Sequence, residues 1–368
     1  MSNKLNTGIN NVHNVGHYSF GEGSLALLDG ILSKNRISQD SLIIYFVDDF
    51  FKNNIQFFDL LPLKKKDEIF FISTSDEPTT DYINFLIKDL KRLNLCNPSC
   101  VVGIGGGVTM DITKAISNLL GNGGLAEDYQ GWDLLTKPGV FKVGIPTLSG
   151  TGAEATRTCV MTNKSSGLKL GMNSDYTVFD QIILDPELTK TVPIDQYFYT
   201  GMDAYIHCME SLSGSYRNAI GDSYSMQTMK LCREIFLSTD MMSDDNRSKL
   251  MVASYLGGCA IATSYVGLVH PFSAGLSVVL GLHHCVANCI TMRGMKDFYP
   301  EGYKEFWSMV ENQNVTIPSG ICTNLTNQQY EQLYNSTVVH EKPLINALGE
   351  DFKSILTKDK VIDIFKKM

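Results

Sequence analysis

The spacing of hydrophobic positions changes about halfway along the chain. In the first half, short apolar runs alternate with segments whose apolar residues recur every three or four positions. The runs, which predict buried strands, are 41–49, 68–74, 100–107 and 143–146. The periodic segments, which predict helices, are 50–58, 79–93 and 108–120. This alternation predicts a doubly wound, mostly parallel sheet.

The second half of the chain has a different pattern. After residues 183–193 the apolar runs nearly disappear, and long amphipathic helices are predicted at 197–213, 217–238 and 245–264, with further segments through 356. The sequence LTKDKVIDIFKKM predicts a last helix with Thr357 as its N-terminal cap. We therefore predict an α/β domain over 1–186 and an all-α domain over 187–368. A catalytic cleft is expected between them.

Composition narrows the class of protein and its partners. A 368-residue chain with 43% hydrophobic and 19% charged residues is typical of a globular protein. Its net charge of -8 argues against nucleic acid or anionic membrane as the main partner. Nine scattered cysteines favour reduced thiols, and the first 20 residues lack the apolar core of a signal peptide. The apolar stretch 266–282 carries His270 and predicts a buried helix, so we expect a cytoplasmic protein without a membrane span.

Four residues of the second half have the chemistry of a metal site. Asp203 and His207 are spaced i, i+4, which places both on one helix face. His270 and His284 lie fourteen residues apart in an apolar segment, where an imidazole needs a partner. One carboxylate and three imidazoles suit Fe(II) or Zn(II). Hydrogen-bonded core histidines are the alternative interpretation.

Three features of the first half lie where predicted strands end. Ligands of parallel sheets bind at this edge. Asp48 could accept hydrogen bonds from a ribose diol and repel a 2′-phosphate. The Gly105–Gly107 run, before a helix that Thr109 could cap, would let backbone N–H groups approach a pyrophosphate. The loop after Pro146 offers hydroxyls at Thr147 and Ser149.

These residues resemble the motifs of the iron-containing alcohol dehydrogenase family. The metal motifs G-x-D-A-x-x-H-x-x-E and H-x13-H-G-x-x-N are matched at Gly201, Asp203, Ala204, His207, Glu210, His270, His284 and Asn288. The motif G-G-G-S-x-x-D-x-x-K is matched at Gly105, Gly106, Gly107, Asp111 and Lys114, with Val108 in place of serine. The motif P-T-T-x-G-T-G-S-E is matched at Pro146, Thr147, Gly150, Thr151, Gly152 and Glu154.

The resemblance implies a fold, a cofactor set and a reaction. The fold is dehydroquinate synthase-like, and the reaction is hydride transfer between an alcohol carbon and NAD(P), with NAD preferred. The implied ligands of the divalent metal are Asp203, His207, His270 and His284. The implied cofactor-binding residues are Asp48, Gly105, Gly106, Gly107, Val108, Asp111, Thr147, Ser149, Gly150 and Lys169. We also expect a homodimer that acts on a small molecule.

Two departures from the family pattern bear on the substrate. Ala274 stands where many members have a histidine implicated in proton transfer, and Cys285 replaces the glycine after the last ligand. His283 is displaced by nine residues from position 274, and we interpret it as structural rather than catalytic. Within the family, the chain most resembles the branch that oxidises the C8 alcohol of the sugar acid 3-deoxy-D-manno-octulosonate (Kdo) for lipopolysaccharide. That branch has been described as an oxidase, so oxygen is an alternative acceptor.

Other functions stay open at this point. Arg157 and Arg217 are candidates to bind the carboxylate of a sugar acid, but either could be an ordinary surface arginine. An NAD-dependent dehydrogenase of small alcohols or diols is an alternative. A dehydroquinate-synthase-like lyase and a non-catalytic metal-binding protein are others.

Overall fold

A computed structural model of the chain describes residues 11–38 and 41–368. Residues 1–10, on which part of the signal-peptide prediction depends, lie outside the described residues. The chain divides into two compact units. The α/β unit comprises residues 13–148 and 153–191, and the helical unit comprises residues 149–152 and 192–368 with residues 11–12.

A six-stranded parallel sheet is the centre of the α/β unit. Its strands, in spatial order, are β1 (His17–Phe20), β9 (Gln181–Leu184), β6 (Lys142–Pro146), β4 (Cys100–Gly105), β2 (Ile43–Asp48) and β3 (Glu68–Ile72). The helices that accompany them are α1 (Leu28–Asn35), α2 (Ile55–Asp59), α3 (Thr80–Arg92) and α4 (Gly107–Asn122). The predicted doubly wound, mostly parallel sheet is confirmed.

Both faces of this sheet are buried because helices cover each one. Ile44 and Phe46 of β2 belong to a core that includes α3 and α4. Tyr45 and Val47, the alternate residues, belong to a second core that includes α1 and α2. A strand buried on both faces has a continuous apolar sequence, which is the pattern that predicted β2.

A smaller sheet was not predicted. It contains β5 (Gly131–Trp132), β7 (Thr158–Asn163) and β8 (Leu168–Asn173), with β7 and β8 paired antiparallel. The predicted helix over 50–58 is also wrong in part, since a 3-10 turn at Asp49–Phe51 precedes α2. The Asn54 side chain accepts a hydrogen bond from Phe57 N and starts a new helix there.

The helical unit contains ten α-helices in the part of the chain that the structure describes. They are α5 (Ile194–Ser213), α6 (Ala219–Phe236), α7 (Asp244–Ser264), α8 (Val269–Leu280), α9 (His284–Thr291), α10 (Pro300–Gln313), α11 (Asn327–Val338), α12 (Glu341–Leu348), α13 (Phe352–Ile355) and α14 (Lys358–Phe365). Their apolar faces form one core. The predicted Thr357 cap is confirmed, because its side chain accepts a hydrogen bond from Lys360 N.

Within residues 11–38 and 41–368, no single helix is long and apolar enough to cross a membrane. Helices α7 and α8 together reach the required length and composition, but they are bent by 105° at the break between them.

Candidate metal centre and cofactor loops

The four predicted ligands come together in the helical unit. Asp203 and His207 lie one turn apart on α5, His270 is the second residue of α8 and His284 begins α9. The Nε2 atoms of His207 and His270 lie 3.5 and 3.4 Å from Oδ1 of Asp203. The Nε2 atom of His284 lies 3.7 Å from Oδ2 of the same carboxylate. Each of the three imidazoles therefore directs its Nε2 atom towards the buried carboxylate of Asp203.

These spacings fit a metal ion. Zinc–nitrogen bonds of about 2.0–2.1 Å at tetrahedral angles place the ligand atoms about 3.4 Å apart. The ligand atoms of Asp203, His270 and His284 all lie within 4.8 Å of one another. The ring of His207 stacks on that of His270 at 4.6 Å between centroids. His207 is not part of this group of three, although its Nε2 lies 3.5 Å from Asp203. The dimensions of the group of three therefore fit a first-row divalent cation, and His207 is the candidate for a fourth ligand.

The charged groups of the cluster strongly affect one another's pKa values. Burial raises the pKa of Asp203, but the three histidines outweigh it and hold that pKa below its ordinary value. Burial lowers the pKa of His207 to about 3 despite the nearby Asp203. Burial also lowers the pKa of His270, but Glu210 and Asp203 outweigh this effect and raise it to about 9. In the metal-free protein a proton on His270 therefore partly balances the buried carboxylates.

Three further side chains contact the ligands. Asn288 Nδ2 donates to Asp203 Oδ1 over 2.6 Å, and the Cys285 thiol donates to Asp203 Oδ2 over 3.7 Å. Glu210 hydrogen-bonds Nδ1 of His270. Glu210 and Asn288 matched the motifs, but neither was assigned a role from the sequence. The available signal for Glu210 was a carboxylate three residues after His207, on the helix that carries two of the ligands.

The first two cofactor features are neighbours in the α/β unit. Strands β2 and β4 are adjacent, so Asp48 at the end of β2 lies beside Gly105. A Cβ atom on Gly105 would lie 3.0 Å from the Asp48 Cβ and 2.5 Å from Thr109 Oγ1. Asp48 itself accepts a hydrogen bond from Phe50 N, and burial raises its pKa. Because Gly105 has no side chain, the ends of β2 and β4 can lie this close to each other.

The glycine run leads directly into α4. Gly106 is the N-cap and Gly107 and Val108 are the first two helical residues, so their amides belong to the open N-terminal turn. Thr109 lies inside the helix, and no side chain caps it, so the predicted Thr109 cap is wrong. An uncapped helix start after glycines is a suitable anion site.

The third loop continues from β6. Thr147 N donates to Gly105 O over 3.0 Å, which brings the loop beside the glycine run. Ser149 is buried, and its Oγ has no hydrogen-bond partner among the described residues. Gly150 has a φ of 142°, and a Cβ there would lie 1.6 Å from Thr200 O, so only glycine fits. The buried Ser149 hydroxyl is consistent with a ligand contact.

Two other predicted cofactor residues have partners within the protein. Asp111 accepts a hydrogen bond from Val160 N over 2.9 Å and pairs with Lys114 at 3.1 Å. Lys169 on β8 forms an ion pair with Glu77 at 3.1 Å. These contacts give Asp111 a role in joining α4 to β7, and they place Lys169 in an ion pair with Glu77.

The two arginines proposed for a sugar acid are also paired. Arg157 forms ion pairs with Asp133 and, at 3.1 Å, with Asp175. Arg217 binds Asp222 through Nε and, at 2.7 Å, through a terminal nitrogen. Each guanidinium is therefore already balanced by a carboxylate. His283 is exposed at the N-cap of α9.

Two protein-family models and several known proteins match this chain. Residues 16–186 match the family model for iron-containing alcohol dehydrogenase, and residues 197–332 match that for the C-terminal part of the Fe-containing family. A sulfoacetaldehyde reductase of Bilophila wadsworthia is 34% identical over 57% of this chain and 54% of its own. An NAD-dependent methanol dehydrogenase of Bacillus methanolicus is 33% identical over 53% of this chain and 52% of its own.

The matched segments thus span about half the length of these curated relatives. Structural similarity covers much more of the chain than this sequence similarity does. A crystal structure of a 1,3-propanediol oxidoreductase superposes with a TM-score of 0.84 at 17% identity, covering 98% of this chain and 100% of the other. Since the two family models together match most of the sequence, the chain belongs to the iron-containing alcohol dehydrogenase family.

Proposed function

We propose that the protein interconverts a primary alcohol and its aldehyde, using a divalent metal and NAD. The observation that carries this proposal is the convergence of three histidine Nε2 atoms on the buried carboxylate of Asp203. Satisfying buried polar groups does not by itself require three imidazoles to direct the same nitrogen at one acceptor. Here the three nitrogens share one carboxylate at metal-ligand spacing.

The protein's own groups have defined tasks in this reaction. Asp203, His207, His270 and His284 would hold the ion, and the charge of Asp203 would partly neutralise it. When bound, the ion supplies Lewis acidity to the alcohol oxygen and NAD supplies the hydride acceptor. Asn288 keeps the carboxylate of Asp203 oriented. Burial of Asp203 and His207 limits the competition of water for the ligand atoms.

The cofactor assignment is supported in the α/β unit. The Gly105–Gly107 turn presents the N-terminus of α4, where a pyrophosphate is favoured by the helix dipole and open N–H groups. Asp48 lies beside this turn, where a carboxylate suits a ribose diol. The similar methanol dehydrogenase is NAD-dependent by name, which agrees with a preference for NAD.

For the substrate, a small primary alcohol or small aldehyde is our first candidate. The similar proteins named above are a sulfoacetaldehyde reductase and a methanol dehydrogenase. Neither of these proteins is named for a sugar acid, and both arginines considered for the carboxylate of Kdo are engaged by aspartates. Family membership also makes a dehydroquinate-synthase-like lyase or a non-catalytic protein a poorer explanation.

Kdo remains the second candidate because of Ala274. Its small side chain lies on α8 one turn after His270, where an imidazole would take up more space. A polyhydroxylated chain end could use that space. Oxygen as the acceptor belongs to this second candidate.

One set of assays tests these proposals. Metal content is measured on the purified full chain, and absorbance at 340 nm is followed with NAD and methanol, 1-propanol, 1,3-propanediol or Kdo, and with NADH and sulfoacetaldehyde. Oxygen uptake is recorded with Kdo. The Asp203→Asn variant is the control, since it keeps the side chain's shape and removes its charge. An absence of activity with every alcohol and aldehyde would contradict the proposal, and a higher kcat/KM for Kdo would reverse the order of substrates.

We also propose a homodimer, as expected from the family resemblance. Strand β1 is at the edge of the sheet, and its Tyr18 and Phe20 are 61% and 46% exposed. Exposed aromatics on an open strand edge favour association. Light scattering after size-exclusion chromatography measures the mass, and a monomer of 40.8 kDa would contradict this proposal.

A further inference from the structure

Glu210 makes two contacts at the start of α8. It lies on α5, three residues after His207, and its side chain is completely buried. Its Oε2 atom hydrogen-bonds Nδ1 of His270, and its Oε1 atom accepts the N–H of Val269. One carboxylate therefore binds both the ring of a predicted ligand and the backbone directly before it.

The start of α8 depends on side chains from elsewhere in the helical unit. Leu268, its N-cap, provides no side-chain hydrogen bond. The N–H of Leu268 donates to the hydroxyl of Tyr299 over 3.0 Å, and the next N–H donates to Glu210. The first amides of a helix have no partner inside it, so these two side chains satisfy them. Only Glu210, of the two, also has a hydrogen bond to His270.

The chemistry of a carboxylate fixes the role of each imidazole nitrogen. An ionised carboxylate only accepts hydrogen bonds, so a neutral His270 must carry its proton on Nδ1. The lone pair is then on Nε2, which is the nitrogen 3.4 Å from Asp203. Carboxylates that accept the second N–H of a ligating histidine fix its tautomer and raise its basicity.

We propose that Glu210 is a positioning residue for the metal centre, which fixes the tautomer and the orientation of His270. This inference rests on the proposed function, because it requires that Asp203, His207, His270 and His284 bind a metal. It goes beyond that function because it assigns a role to Glu210, which in this role contacts neither metal nor substrate. The hydrogen bond from Val269 N–H to Glu210 fixes the backbone at the start of α8. The hydrogen bond between Glu210 and Nδ1 fixes the orientation of the His270 ring.

Glutamine at position 210 separates positioning from packing. It has nearly the shape of glutamate, but one of its two terminal atoms is a donor. If its oxygen faces Val269 N–H, its amide group faces Nδ1 and the proton of His270 moves to Nε2. If the amide is reversed, two donors oppose each other at Val269. Both arrangements weaken metal binding without a change in side-chain volume.

The experiment compares Glu210→Gln with Tyr299→Phe. The second variant removes the hydroxyl that caps Leu268 but leaves the bond between Glu210 and His270 intact. Zn(II) affinity is measured by competition with a chromophoric chelator, and folding is checked by circular dichroism. We expect Glu210→Gln to bind Zn(II) about 10–100-fold more weakly and Tyr299→Phe to bind it like the unchanged protein.

A spectroscopic measurement tests the tautomer directly. With seven histidines in the chain, selective ¹⁵N labelling resolves the ring nitrogens, and sequential assignment through the backbone amides identifies those of His270. In the Zn(II)-loaded unchanged protein we expect its proton on Nδ1. This measurement needs no variant of Glu210, so it remains informative if Glu210→Gln does not fold.

The outcomes distinguish this inference from the function on which it rests. If the unchanged protein binds no divalent ion, both fail. If it binds Zn(II) and Glu210→Gln binds equally tightly, only the role of Glu210 fails. Equal losses in Glu210→Gln and Tyr299→Phe, or coordination of His270 through Nδ1, would also overturn it.

Discussion

The amide nitrogen of Asn288 donates a hydrogen bond to Oδ1 of Asp203 over 2.6 Å. The same nitrogen lies 3.2 Å from Nε2 of His284 and 3.4 Å from Nε2 of His270. A side chain from α9 thus orients a carboxylate from α5 at the point where the predicted ligands converge. The candidate site is held together by contacts between helices that are distant in sequence.

The metal ligands give the first prediction. His270→Ala should lose most of the metal and remain folded, because it removes one of four ligands from helices that pack through their own core. Elemental analysis measures the metal, and circular dichroism checks the fold. His340→Ala is the control, since His340 lies outside the ligand cluster at the N-cap of α12. Unchanged metal content in His270→Ala would contradict the assignment.

The stability of the metal-free protein should depend on pH in two directions. The pKa of His270 is raised from 6.5 to about 9, so its contribution is full below pH 6.5 and is lost as the pH rises through 9. The pKa of His207 is lowered from 6.5 to about 3, so stability falls as the pH drops from 6.5 towards 3. Denaturant unfolding from pH 4 to 10, with a chelator present, should show greatest stability near pH 6.5.

Above pH 7 the affinity for Zn(II) should rise with pH, whereas the stability of the metal-free protein should fall. The ion needs the lone pair on Nε2 of His270, and a proton competes for it below pH 9. The apparent affinity for Zn(II) should therefore rise between pH 7 and 9, with release of protons that calorimetry in two buffers can count. A flat affinity over this interval would contradict the proton competition.

Asp48 gives a prediction about cofactor choice. Asp48→Asn keeps an oxygen that can accept the hydrogen bond from Phe50 N and removes the negative charge. Loss of charge repulsion with a 2′-phosphate should improve NADP binding relative to NAD by on the order of 1–3 kcal/mol. Fluorescence titration of both cofactors measures this. Asp49→Asn, at the next position, is the control, and equal NAD and NADP affinities in the unchanged protein would contradict the role of Asp48.

Lys114 should be important for stability of the α/β unit. Its side chain is completely buried, pairs with Asp111 at 3.1 Å and donates to Ala153 O over 2.8 Å. Lys114→Met leaves the partly buried carboxylate of Asp111 without its charged partner and removes the hydrogen bond to Ala153 O, which should cost on the order of 1–3 kcal/mol of unfolding free energy. Denaturant unfolding measures the loss. Lys190→Met removes a pair with Glu187 that is largely exposed, and should cost less than about 1 kcal/mol.

The sequence determined the local elements well, and it identified the four residues of the candidate metal cluster. Residues 79–93 predicted α3 because apolar side chains recur on one helical face, and the continuous apolar run of β2 predicted a strand buried on both sides. The i, i+4 spacing placed Asp203 and His207 on one face of α5. Local periodicity is sufficient for such inferences because it depends only on near neighbours along the chain.

Other properties depended on residues that are far apart in sequence. The β7–β8 hairpin was missed because its strands are only partly buried and lack a long apolar run. Arg157 was a candidate anion site from the sequence, and only the fold placed Asp133, which is 24 residues away in the chain, beside it. The contact between Glu210 and His270 spans sixty residues. Spacing along a chain cannot specify which nitrogen of His270 faces a metal, because that is decided by which acceptor the folded protein places at the other one.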